Sequence, residues 1–226
     1  MKMASFPRPY YIVSYYYTSI YVLTGFHVGQ SAVETWASAR CPERPVHGVG
    51  AMLAAHFVVV GTHALYAYES ACGVRVQGDA KSDAIATQDI DLLLDTRKYL
   101  SFVTTMDRLD TSLLSVFQKV DKTFQLRSKQ LYTAVNADGF EIDVVRRAAK
   151  DGDLHPLRVS RHDEDFWAVQ ISTGSTLLDG GHFEQAVVAT SGHMAVMRVP
   201  TPAIFIRVKE KLAAMQEMQK RIGCRA

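Results

Sequence analysis

Cysteine is scarce and scattered in this chain of 226 residues: Cys41, Cys72 and Cys224 make no C-x-x-C pair and no even set. That pattern excludes a disulfide framework and fits a reducing compartment, the cytoplasm. The eight histidines include no H-E-x-x-H or other metal-ligand spacing, which removes the zinc-protease class. Neither sign of charge is in excess. The net value of +2, from 25 basic and 23 acidic residues, gives no bulk argument for or against nucleic acid, because that argument needs a local patch. The chain also lacks internal repeats and low-complexity tracts, so solenoid and tail-like architectures are not expected.

A clean membrane span is missing too. Residues 10–28 carry no charge and are long enough to cross a bilayer. Yet they hold six tyrosines together with Ser14, Thr18, Ser19 and Thr24, and so are less apolar than real spans. No small-residue cleavage site follows cleanly. Residues 1–46 are read as an atypical N-terminal extension, a hairpin or loosely docked segment, with a membrane tether as the rival reading. Pro42 and Pro45 mark its end.

What is present concentrates in residues 56–95. The apolar run 57–60 ends in Gly61-Thr62 and reads as a strand buried on both faces. Thr62 is expected to cap a helix in which Ala64, Leu65, Tyr68 and Cys72 recur at helical spacing. A polar spacer follows to residue 88, and a second strand over 89–94 carries Asp89 and Asp91 around Ile90. Residues two apart in a strand share a face, so both carboxylates project one way. A third strand over 139–145 repeats the device with Glu141 and Asp143. Carboxylates gathered on adjacent strands repel each other unless cations sit among them, so the pattern predicts a metal site.

Around this centre, residues 48–55 and 100–120 read as helical, the latter divided at Asp110-Thr111-Ser112. Residues 123–126 and 131–135 read as short strands, and Asn136-Ala137-Asp138-Gly139 as a hairpin turn. Residues 146–164 look like a polar loop, with Arg146-Arg147 as a solvated basic segment rather than a phosphate contact. Strands are expected over 187–190 and 194–199, and a terminal helix from Pro200-Thr201-Pro202 to about residue 219.

Fifteen aspartates make a D-x-D triplet cheap, and three occur. Asp151/Asp153 and Asp163/Asp165 lie in polar loop and are expected to be solvated. Asp89/Asp91 alone lies in an apolar strand, where burying two unpartnered charges costs several kcal/mol each. The competing reading is a strand end frayed into water. The Gly-Thr turn upstream and the Glu-Ile-Asp strand downstream favour the site.

A Gly-Thr turn, a D-x-D strand and a later lone-Asp strand, in that order, resemble the polymerase-beta-type nucleotidyltransferase superfamily. The stretches VVVGTHALYAYESACGVRV, ATQDIDLLLD, VDKTF, AVNADGFEIDVV and MAVMRVPTPAIF are similar to a bacterial nucleotidyltransferase-fold family with no established substrate. The likeness covers about residues 47–212. It implies an α+β fold with α/β character: a small mixed sheet carrying the carboxylates, flanking helices, and a C-terminal strand pair and helix. The divisions expected are the extension 1–46, a core over 47–150 and a C-terminal strand and helix region over 151–226. The resemblance places Gly61 and Thr62 at the triphosphate, Asp89, Asp91 and Asp143 as catalytic metal ligands, and Lys209 as a further nucleotide contact. Thr62 stands where Gly or Ser is commoner. Residues 1–46 do not resemble the family, and the chain stops at Ala226 where members continue, which is read as truncation.

The implied activity is transfer of a nucleoside monophosphate from an NTP to a hydroxyl of RNA, protein or a small molecule, with two Mg²⁺ or Mn²⁺ ions about 3.5–4 Å apart. A catalytically inactive binding or regulatory module, of toxin–antitoxin or defence type, is the alternative. Glu141 is expected to point to solvent or buttress the site. Lys209 and Lys211 lie two apart on one helix, so only one of them faces it.

Overall fold

The computed structural model describes residues 55–73, 88–188 and 194–223. The extension over 1–46, most of the helix expected over 48–55 and most of the polar spacer lie outside them. Among the described residues no helix is long and apolar enough to cross a membrane.

Four successive apolar residues with no polar face need cover on both sides, and strand β1 (Phe57–Val60) receives it: all four are buried. It pairs antiparallel with β2 (Asp89–Leu94), setting Val60 opposite Asp91. Strand β2 runs parallel to β5 (Glu141–Arg147), with Asp89 beside Glu141 and Asp91 beside Asp143. The other edge of β5 is shared. Its first half pairs antiparallel with β4 (Gln130–Val135), and its second half runs parallel to β7 (Trp167–Ile171). A short β3 (Gln125–Arg127) lines β4, and β6 (Leu157–Arg158) lines β7. A separate hairpin, β8 (His182–Val188) and β9 (Met194–Pro200), follows.

Among the described residues the helices are α1 (Ala64–Cys72), α2 (Tyr99–Arg108), α3 (Leu113–Gln118), α4 (Gly174–Asp179) and α5 (Pro202–Gly223). The fold is mixed α+β: a mixed sheet, flanking helices, and a C-terminal strand pair with its helix. Strand alternation sends its residues into two cores. Phe57, Val59, Ile90, Leu92, Ile142 and Val144 pack with Ala64 and Ala67 of α1, Phe102 and Met106 of α2, and Phe117 of α3. Val58, Val60, Leu93 and Val145 meet Leu177 and Leu178 of α4 and Val208 of α5 on the other face. Each fully buried Leu or Phe contributes about 1.5–3 kcal/mol. Tyr68 ties the hairpin to α1 and α5: its hydroxyl donates to the Pro200 carbonyl at 2.8 Å, and its ring meets Phe183 and Phe205.

Several expectations are revised. Helix α1 begins at Ala64, and Thr62 caps nothing: residues Gly61–His63 form a 3₁₀ turn first. Residues 146–164 are not all loop, since β5 continues to Arg147 and β6 falls among them. Strand β7 and helix α4 add to the elements the sequence predicts, and β8 starts five residues before residue 187. Helix α4 has only six residues, too few to show a 3.6 period.

Candidate active site

The face of the sheet that α4 and α5 cover is apolar along Val58, Leu93 and Val145. Toward the start of β2 and β5 the same face turns acidic. A parallel register aligns side chains on one face, so Asp91 and Asp143 stand side by side, with Asp89 and Glu141 next along the same rows. Asp89 is exposed, while Asp91 and Asp143 are half-buried.

Turn Gly61–His63 closes one side. Gly61 has φ +69°, which glycine tolerates and other residues adopt only with strain. A β-carbon there would also overlap the Oδ2 of Asp91, so the turn lies directly against that carboxylate. Lys209, on α5, closes another side. Its charge acts on Asp91, and its Nζ lies 5.5 Å from the centre of the Phe205 ring. The structure thus brings Gly61, Thr62, Asp89, Asp91, Asp143 and Lys209 to one end of the sheet.

The electrostatics are unfavourable as they stand. Asp91 takes no hydrogen bond from any described residue, and its pKa is pushed up to about 6, first by burial and then by Asp89 and Asp143, against the pull of Lys209. Burial also raises Asp143; the hydroxyl of Thr133 opposes this, Glu141 and Asp89 add to it, and Arg127 opposes it. Among the described residues no group of three or more His, Cys, Asp or Glu is drawn together tightly enough to hold a metal ion. The pair Asp91/Asp143 with Asp89 beside it is nonetheless the donor set a hard divalent cation prefers: all oxygen, anionic, with free lone pairs. The residues fit such an ion.

Three neighbours escaped the sequence reading. Thr133 donates to Asp143 Oδ1 at 2.5 Å. Arg127 forms an ion pair with Glu141, so Glu141 neither points freely to solvent nor adds an unpaired charge. His63 is 1 % exposed; burial lowers its pKa to about 4 although the charge and main chain of Asp89 oppose this, so the ring is neutral. Thr133 had a usable signal. The turn at 136–139 fixes the hairpin register, and counting back from Val135 opposite Glu141 puts Thr133 opposite Asp143.

Other sequence candidates belong to the scaffold. Arg146 is not a solvated basic residue: its side chain is 1 % exposed and donates to the carbonyls of Leu154 and Arg147. Asp165 is not a solvated loop carboxylate either. It is buried, accepting from the Leu113, Leu114 and Phe166 amides and the Ser160 hydroxyl, and so caps α3 from a distance. Asp163, in contrast, is exposed as expected and pairs with Arg158.

A sequence profile of the family described as nucleotidyltransferase matches residues 48–222. The chain belongs to that nucleotidyltransferase family. No curated protein and no solved structure matches it. The family match runs from before β1 into α5 and supports nucleotidyl transfer in general.

Proposed function

We propose that this chain transfers a nucleoside monophosphate from an NTP to a hydroxyl acceptor, with Mg²⁺ or Mn²⁺ held by Asp89, Asp91 and Asp143. The observation that carries the reading is the side-by-side placement of Asp91 and Asp143 on parallel strands, with no donor to Asp91 among the described residues. Two divalent ions supply charge neutralisation for the triphosphate and the leaving pyrophosphate. The rest falls to the protein. The Gly61 turn, lacking a side chain, lets main-chain amides approach the phosphates, and the Thr62 hydroxyl adds a donor. Lys209 balances anionic charge beside Asp91. Asp143 takes the proton of the acceptor hydroxyl. The acceptor oxygen then bonds to the α-phosphorus as the bond to pyrophosphate breaks.

A second reading, a family member that binds nucleotide without turnover, is supported by the spacing of the carboxylates, which no described group of three draws together. Incubation with the four α-labelled NTPs, Mg²⁺ or Mn²⁺ and cell lysate separates the two. Label on an acceptor, lost in Asp91→Asn, supports transfer. Metal-dependent NTP binding without transferred label supports the binding module. Equal ATP affinity in EDTA and in Mg²⁺ overturns metal-dependent transfer, and no NTP binding in either overturns both.

A further inference from the structure

Of the three carboxylates, only Asp143 is held by a hydrogen bond from a described residue. Its Oδ1 accepts from the Thr133 hydroxyl at 2.5 Å. Thr133 is 2 % exposed and lies directly opposite Asp143 in the antiparallel pairing of β4 with β5. It is β-branched, so its χ1 is stiff in a strand and its hydroxyl has little freedom to turn away. Oδ2 of Asp143 takes no hydrogen bond from a described residue. Hydrogen bonds of this kind orient a ligating carboxylate and are needed for full metal affinity.

We propose that Thr133 is the positioning residue of the third carboxylate: its hydroxyl fixes Asp143 with one oxygen occupied and the other free for a divalent cation. This rests on the reading that Asp89, Asp91 and Asp143 hold metal. The rival account is that Thr133 is a buried β-branched residue that merely packs. Thr133→Val keeps that packing and removes the donor; Thr133→Ser keeps the donor and removes the methyl.

The test is Mn²⁺ binding by calorimetry, with and without a non-hydrolysable ATP analogue, on the wild type, Thr133→Val, Thr133→Ala, Thr133→Ser and Asp91→Asn. Thr133→Val and Thr133→Ala should weaken Mn²⁺ about 10- to 100-fold, while Thr133→Ser stays within about threefold of the wild type. Should Thr133→Val not fold, the Ala and Ser variants still differ by the hydroxyl alone. Wild-type affinity in Thr133→Val or Thr133→Ala, or equal losses in Ser and Ala, overturns the role of Thr133 while Asp91→Asn still shows the metal site to be real. A wild type that binds Mn²⁺ no better than Asp91→Asn overturns the metal site, and this inference with it.

Discussion

Strand β2 holds Asp91 near its start and delivers Asp95 just past its end, four residues on. Asp95 is 1 % exposed, and Arg97 donates to it through Nε at 2.7 Å and a terminal nitrogen at 2.9 Å, with Arg198 at 3.3 Å. Burial alone would raise its pKa, but the arginines together hold it below the ordinary carboxylate range. Asp91 is half-buried and takes no hydrogen bond from a described residue, and burial with the Asp89 and Asp143 charges raises its pKa to about 6. Asp165 sides with Asp95, each oxygen taken up by donors. The fold therefore has donors to spare for carboxylates that brace it. At the end where the Gly61 turn and Lys209 converge, the Asp89 and Asp91 carboxylates take no hydrogen bond from a described residue, and Asp143 takes one, from Thr133. That contrast sorts the carboxylates more sharply than burial does.

The largest expected effect comes from breaking the satisfied class. Asp165→Ala orphans three amides and the Ser160 hydroxyl and should lower stability by about 3–5 kcal/mol in urea unfolding. A loss under about 1 kcal/mol would erase the distinction. Asp95→Asn should cost about 2–4 kcal/mol at pH 7, because two arginines keep only a neutral partner. Its sign with pH is fixed. A depressed folded pKa gives stability present above the unfolded value near 3.8 and lost as pH falls through the folded one. The gap between the wild type and Asp95→Asn should hold down to about pH 4 and close at still lower pH. A gap that does not change in acid would mean the charge is not what stabilises.

This division was only half legible in the sequence. The alternation of Asp89-Ile90-Asp91 and Glu141-Ile142-Asp143 is local, and local alternation fixes which side chains share a face. That is why the carboxylate end of the sheet could be read directly. Asp165 looked like a turn residue because its partners, the Leu113 and Leu114 amides, lie about fifty residues away. Arg146 looked solvated because nothing nearby in sequence announces that the Leu154 carbonyl will fold back on it. Strand β7 went unseen because it needs β5 as a template, and half-buried strands of five residues carry little periodic signal. Thr62 falls one residue short of the cap of α1, because the 3₁₀ turn from Gly61 runs through to His63.

The unsatisfied class should behave the opposite way. Asp91→Asn removes a charge that burial and two neighbouring carboxylates penalise, so the metal-free variant should gain about 1–3 kcal/mol at pH 8. A raised folded pKa means the penalty appears as pH rises from about 4 through about 6 and is constant above. The gain should therefore be full at pH 8 and vanish by pH 4, measured by melting in EDTA. The facing charges are Asp89, Asp143 and Lys209, none of which the substitution alters. Adding Mg²⁺ and NTP should raise the wild-type melting temperature and leave Asp91→Asn nearly unmoved. Equal responses to metal would return Asp91 to the scaffold.

The smallest effect is the most exacting test, because it concerns a carboxylate on the site face that the contrast assigns to the satisfied class. Glu141 lies beside Asp89 across β2 and β5, so by position it belongs to the acidic cluster. By partnership it does not, since Arg127 takes its charge. Glu141→Gln should then change metal-free stability by no more than about 0.5 kcal/mol, a value typical for a partly exposed ion pair. Removing the partner should matter more than removing the acid. Arg127→Ala leaves Glu141 unpaired next to Asp89 and Asp143, and should cost up to about 1 kcal/mol at pH 8. In Arg127→Ala/Glu141→Gln that loss should disappear, since no unpaired charge is left. A double variant as unstable as Arg127→Ala alone would show that the arginine packs rather than neutralises, and that partnership is not what sorts the carboxylates of this sheet.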